Sequence, residues 1–159
     1  MIYIKYLYGL DLSMSNTGIA IFDIDTYKPV LITSVATKDK EEYGERLHTQ
    51  REYMKELIEK YLPNEVAIER GFTRFNTSTQ VVYRVHGVTN ELFHEYKQFY
   101  YAPNQVKKII TGNGQAKKEV VQKAILKKYP DLEFDNNDES DAFSIGICHL
   151  IKKHKMKWN

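Results

Sequence analysis

Apolar and polar positions alternate in blocks that define ten elements. Residues 2–10 are rich in Tyr, Ile and Leu and predict a buried strand. The turn-rich segment Asp11-Leu12-Ser13-Met14-Ser15-Asn16-Thr17-Gly18 separates it from a second strand, Ile19 to Asp23. Pro29 opens a third, over 30–35. Strands this closely spaced predict an antiparallel meander. Over 41–62 the period becomes helical, with Tyr43, Leu47, Met54, Leu57, Ile58, Tyr61 and Leu62 expected in the core and Pro63 as the stop. Glu65-Val66-Ala67-Ile68-Glu69 is a short strand, punctuated by Gly71. A helix is predicted over 77–97, with Val81, Val82, Val85, Val88 and Leu92 on one side. Gln98 to Tyr101 is a further strand, and Pro103 suits the first position of a helix over 103–110. Gly112-Asn113-Gly114 breaks that helix, residues 115–128 resume it, and a last helix runs from about Asp138 to His154. Three meandering strands followed by alternating helices and strands predict an α/β fold, a mixed sheet with helices packed on it.

The 159 residues suit a single domain over 1–159, with 42% hydrophobic and 28% charged side chains. A chain of this size buries roughly two-thirds of its unfolded surface without covalent staples. The one cysteine, Cys148, has no partner within the chain and is expected in the core. No apolar run approaches the ~20 residues that span a bilayer, so no membrane partner is expected. The first residues lack the basic-then-apolar pattern of a leader. Together these features predict a cytoplasmic protein. Seven alanines against nine asparagines fit an AT-rich genome, as in a phage or a low-GC bacterium.

The net charge of +2 conceals a segregation. Segment 103–128 has seven lysines and one acid, whereas 131–141 has six acids and no base. Such an arrangement suits a protein that holds a polyanion and sets a metal ion against it. Solvated helix faces and an acidic loop explain the charges equally well.

Four acids stand where buried structure predicts none. Asp11 follows directly on the first strand, and Glu69 ends the fourth. Asp138 and Asp141 share one face at the start of the last helix, where the helix dipole tolerates negative charge. Mg²⁺ favours a few carboxylates plus water and phosphate. Two such ions ~4 Å apart clamp the attacking and leaving oxygens of a phosphodiester. Each acid also has an innocent reading: a turn former at Asp11, a helix cap at Asp138 or Asp141, an ion pair at Glu69.

The same residues resemble the motifs of the RuvC family of Holliday-junction resolvases. Gly9-Leu10-Asp11-Leu12-Ser13 with Thr17-Gly18 is similar to the family's first motif. Ile68-Glu69-Arg70-Gly71-Phe72 resembles its second, and the segment from Val106 to Lys118 its basic third region. Asp138-Glu139-Ser140-Asp141-Ala142 resembles its closing helix. The resemblance implies an RNase H-like fold with helices on both sheet faces, a homodimer, and paired symmetric cutting of four-way junctions or other branched DNA. It implies Asp11, Glu69, Asp138 and Asp141 as catalytic ligands for two Mg²⁺ ions, with Mn²⁺ as a substitute. Phe72 takes the place of an aromatic that stacks on bases, a contact worth about 1–3 kcal/mol. Arg74 and Phe75 lie in the same segment, and Lys107, Lys108, Lys117, Lys118 and Asn113 would meet phosphates, helped by backbone amides of the Gly112-Asn113-Gly114 turn.

Two other functions suit the same residues: an RNase H-like nuclease acting on RNA or RNA–DNA hybrid, and a non-catalytic module that binds branched DNA. The lysine-flanked Gly-Asn-Gly segment argues against the first, and the presence of all four acids against the second. His149, eight residues after Asp141, is read as a packing or surface histidine, with a proton shuttle at the site as the alternative. The apolar side of 77–97 is the expected dimer interface.

Overall fold

The computed structural model describes residues 3–71 and 77–159. Three strands come first: β1 (Tyr6–Asp11), β2 (Asn16–Asp23) and β3 (Pro29–Ala36). Then follow α1 (Tyr43–Lys60), β4 (Pro63–Glu69), α2 (Thr77–Leu92), β5 (Lys97–Tyr101), α3 (Pro103–Thr111), α4 (Lys118–Lys128) and α5 (Asn137–His154). The order of elements is the one the sequence pattern predicts. The strands form one sheet in the order β3-β2-β1-β4-β5. β2 pairs antiparallel with β1 and β3, while β4 pairs parallel with β1 and β5. This is the mixed five-stranded sheet expected of an RNase H-like fold.

Strand side chains alternate between two cores, as the pleat requires. Leu7, Ala20, Phe22 and Ala67 face the core shared with α3, α4 and α5. Tyr8, Leu10, Ile19, Ile21, Val66 and Ile68 face the core shared with α1 and α2. Each large side chain fully buried here, such as Tyr8, Phe22 or Phe143, contributes about 2–3 kcal/mol of hydrophobic stabilisation. Cys148 is fully buried.

α5 is the central helix. From Glu139 to Leu150 every residue except Asp141 is buried, the pattern of a helix enclosed on all sides. It lies unusually close to β1 and β2. A Cβ at Gly18 would stand 1.9 Å from the Asp138 carbonyl oxygen, and one at Gly9 2.5 Å from that of Ala142. Real side chains cannot occupy those positions, so the two glycines admit the first turns of α5 to the sheet.

The pattern misreads several details. Strand pairing begins at Tyr6, opposite Asp23, and Tyr3 and Ile4 remain exposed. α2 stops at Leu92 rather than at 97, because the Gln98 side chain donates to the carbonyls of Asn90 and Phe93 at its end. Tyr43 and Leu62 are exposed rather than core. The N-terminal half of α1 buries Arg46 and Gln50 instead, because Gln50 covers the polar β1–β2 turn and Arg46 bonds to Thr37 and Asp39 just after β3. On α2, Val85, His86 and Thr89 are buried within the subunit, so part of the stripe assigned to a dimer is already covered.

Candidate metal centre

Parallel pairing of β1 and β4 brings their C-terminal ends to one edge of the sheet. Leu10 lies opposite Ile68, so Asp11 and Glu69 follow side by side. Asp11 also pairs with Gly18 across β1–β2. The missing side chain at Gly18 leaves room for the start of α5, which delivers Asp138 and Asp141. Carboxylate oxygens of Asp11, Asp138 and Asp141 all lie within 4.8 Å of one another. Glu69 stands beside them, lining a cleft with Asp141, Lys107, Lys118 and Ser140.

The electrostatics are those of crowded, poorly hydrated carboxylates. Burial, then the charges of Glu69, Asp141 and Asp138, push Asp11 up to about 9. Burial and the Asp141 charge raise Glu69. Asp141 is raised by burial even though Lys118 opposes the shift. The Lys118 ammonium donates to Asp141 at 3.2 Å. Its own partial burial favours proton loss, but Asp141 overrides this and holds it above its ordinary value. Asn16 donates to Asp138 at 2.9 Å.

The donor set fits a hard divalent cation. All donors are oxygens, they converge from three elements, and their mutual repulsion is relieved by added positive charge. Neither Asp138 nor Asp141 caps the helix. Asn136 does so by accepting from the Glu139 amide, which frees both aspartates to face the sheet. Of the remaining acids in 131–141, Glu139 is buried in bonds to Ser34 and the Asp135 amide. Asp131, Glu133 and Asp135 are exposed, so two acids of that stretch, not six, build the cluster.

Comparison with known proteins fits this geometry. The family described as crossover junction endodeoxyribonuclease RuvC matches residues 7–149 of the chain. The chain belongs to the RuvC family. The RuvC of Wolbachia sp. subsp. Brugia malayi is 34% identical over 156 residues, covering 91% of this chain and 93% of the relative. That of Brachyspira hyodysenteriae is 33% identical over 154 residues, covering 91% and 92%. Among solved structures, Thermus thermophilus RuvC in complex with Holliday junction substrate superposes with a TM-score of 0.82 at 19% identity, covering 94% of this chain and 96% of that one. RuvC nucleases are metal-dependent, which agrees with the acidic cluster.

Of the basic residues that resemble RuvC's third region, Lys107 and Lys118 line the carboxylate cleft. Lys108 and Lys117 are exposed beside it in sequence, on α3 and at the start of α4. The intervening turn is held by Gly112 in the left-handed region at φ 83°. Its Gly112 amide donates to the Lys108 carbonyl and its Asn113 amide to the Thr111 hydroxyl, so neither amide is spare. Asn113 uses its side-chain oxygen to accept from the Gln115 amide. Phe72, Arg74 and Phe75 lie outside the described residues. His149 is fully buried and bonded to Tyr101 and Glu65. Glu65 sits about 13 Å along β4 from Glu69, so His149 belongs to the far end of that strand.

Two supporting residues carry no local signal. Gln50 donates to the carbonyls of Ser13 at 2.6 Å and Met14 at 3.1 Å, and accepts from Thr17 at 2.8 Å, bracing the turn after Asp11. Asn16 reaches Asp138 across 122 residues of chain.

Proposed function

We propose that this protein is a metal-dependent endonuclease that resolves four-way junctions and other branched DNA by paired cuts, working as a homodimer. The observation that carries this reading is the meeting of Asp11, Asp138 and Asp141 beside Glu69 at one sheet edge, in a chain of the RuvC family. Asp11, Glu69, Asp138 and Asp141 would hold two Mg²⁺ ions, for which Mn²⁺ would substitute. Ions bound there would supply Lewis acidity to the attacking and leaving oxygens of a phosphodiester.

The chain's own residues hold, neutralise and orient. Asn16 fixes Asp138, and Gln50 fixes the turn behind Asp11. Lys118 shields Asp141 until a phosphate enters the cleft, and Lys107 adds a second cation at its wall. Lys108 and Lys117 extend the basic surface away from the acids, and Asn113 adds a polar contact between them. Phe72, Arg74 and Phe75 follow Glu69 closely in sequence and are assigned to bases and phosphates near the crossover. The outward side of α2, with Tyr83 exposed, is the proposed contact between subunits.

The decisive experiment is cleavage of a synthetic four-way junction in Mg²⁺. Symmetric nicks are expected. Asp11→Asn and Asp141→Asn should abolish cutting while junction binding persists. Failure to cut any branched DNA in Mg²⁺ or Mn²⁺ overturns the proposal, and preferential cutting of RNA–DNA hybrid redirects it.

A further inference from the structure

A second group of metal-ligating side chains lies at the opposite end of β4. Glu65, near the start of the strand, meets His149 from α5 and His154 from the last residue of that helix. Both imidazole Nε2 atoms face one carboxylate oxygen, Oε1 of Glu65, at 3.1 Å for His149 and 2.5 Å for His154. The three ligand atoms lie within 4.8 Å of one another. The other nitrogen of His149, Nδ1, is held 2.6 Å from the Tyr101 hydroxyl. That contact fixes the ring plane, as the outer partners of metal-bound histidines do.

We infer that Glu65, His149 and His154 form a binding site for a borderline divalent ion of the Zn²⁺ class. Two imidazoles and one carboxylate suit Zn²⁺, Co²⁺ or Ni²⁺ rather than Mg²⁺. Bonds of about 2.1 Å at tetrahedral angles place ligand atoms roughly 3.4 Å apart, so the Glu65–His154 pair needs to open by less than about 1 Å. His149 is fully enclosed, while Glu65 and His154 retain 16% and 28% of their side-chain exposure. The exposed side opens on a cleft lined by Lys5, Asp25, Asn64, Glu95 and Lys97, whose charges balance. Water from that cleft can complete the fourth position.

The three ligands join β4 to the last two turns of α5. An ion here stabilises the helix that presents Asp138 and Asp141 at its other end, without contact with those acids. The site therefore stands apart from the proposed DNA chemistry, and its test does not depend on cleavage.

Co²⁺ is the probe. Chelator-treated protein is titrated in excess Mg²⁺, which competes for the all-oxygen cluster. Visible absorption of nitrogen-ligated Co²⁺ at one ion per chain is expected. It should persist in Asp11→Asn and vanish in His154→Ala, a substitution at a partly exposed position. Zn²⁺ a hundredfold above its Kd should raise the Tm of the native protein by about 5–10 °C and leave His154→Ala unmoved. Should His154→Ala fail to fold, Glu65→Gln supplies the same comparison. No uptake, uptake unaffected by both substitutions, or uptake lost only in Asp11→Asn overturns the inference and leaves a hydrogen-bonded clasp.

Discussion

The metal-free protein should become more stable when Asp11 is replaced by asparagine. Asp11 is buried and surrounded by Glu69, Asp141 and Asp138, and its carboxyl is pushed up to about 9 from an ordinary 3.8. A group raised in this way contributes its full stability below the unfolded value. That contribution is lost as the pH rises towards the folded value. Each unit costs about 1.4 kcal/mol. At pH 7 the penalty therefore has a ceiling of about 4 kcal/mol, set by the interval between 3.8 and 7 rather than by the whole shift. Coupling to Glu69 and Asp141 spreads part of it over the cluster, so a gain of about 2–4 kcal/mol is expected for Asp11→Asn.

The assay is urea denaturation from pH 5 to 8, in chelator and in saturating Mg²⁺. Circular dichroism reports the fold, and buried Trp158 offers an independent fluorescence signal. In chelator the advantage of Asp11→Asn should grow with pH. In Mg²⁺ it should shrink or reverse, because the ion binds the native carboxylate and not the amide. A variant no more stable than the native protein at pH 7 in chelator would refute the electrostatic reasoning. So would an advantage that is the same at every pH.

Further outcomes follow from other contacts. Gly18→Ala places a Cβ 1.9 Å from the Asp138 carbonyl, which forces α5 outward by more than about 1 Å. Loss of several kcal/mol in thermal unfolding is expected, together with a fall in cutting of 10²-fold or more. Gln50→Ala removes its bonds to the Ser13 and Met14 carbonyls, which keep the Thr17 and Thr37 hydroxyls as donors, and the lost bonds should cost about 1–3 kcal/mol in urea titrations. Lys108→Ala and Lys117→Ala, both exposed, should each lower the salt slope of junction binding by about 1 while cutting of bound DNA continues. The Cys148 thiol is buried and pushed up to about 12, so alkylating reagents should label it only in denaturant.

How far the sequence was legible depended on the distance over which each signal acts. Pro63, Pro103 and Gly112 mark boundaries through their own backbone chemistry, and they stand where the elements change. Asp11 and Glu69 were visible because each ends an apolar strand, and Asp138 and Asp141 because their spacing sets both on one face at the start of the last helix. α1 was harder. Its buried Arg46 and Gln50 look like surface residues until the segment after β3 and the β1–β2 turn lie beneath them. The end of α2 is set by Gln98, from the next strand. The Glu65–His149–His154 group joins positions 84 and 89 residues apart, and no local pattern records such a meeting.

One local feature links the fold to its chemistry. Asp11 faces α5 and has Gly18 opposite it on β2. Any larger residue there would hold α5 away and let water reach the carboxylate. With glycine, the helix closes over the sheet edge, and the negative charges are crowded together without full hydration. The turn-former reading of Asp11 predicts an exposed side chain bonded to nearby amides, whereas Asp11 is 9% exposed and sits among three other carboxylates. A fold retains such an arrangement when a cation offsets its cost. The instability of the empty cluster and the affinity of the filled one are therefore two readings of the same contacts, so substitutions that relieve the first should weaken the second.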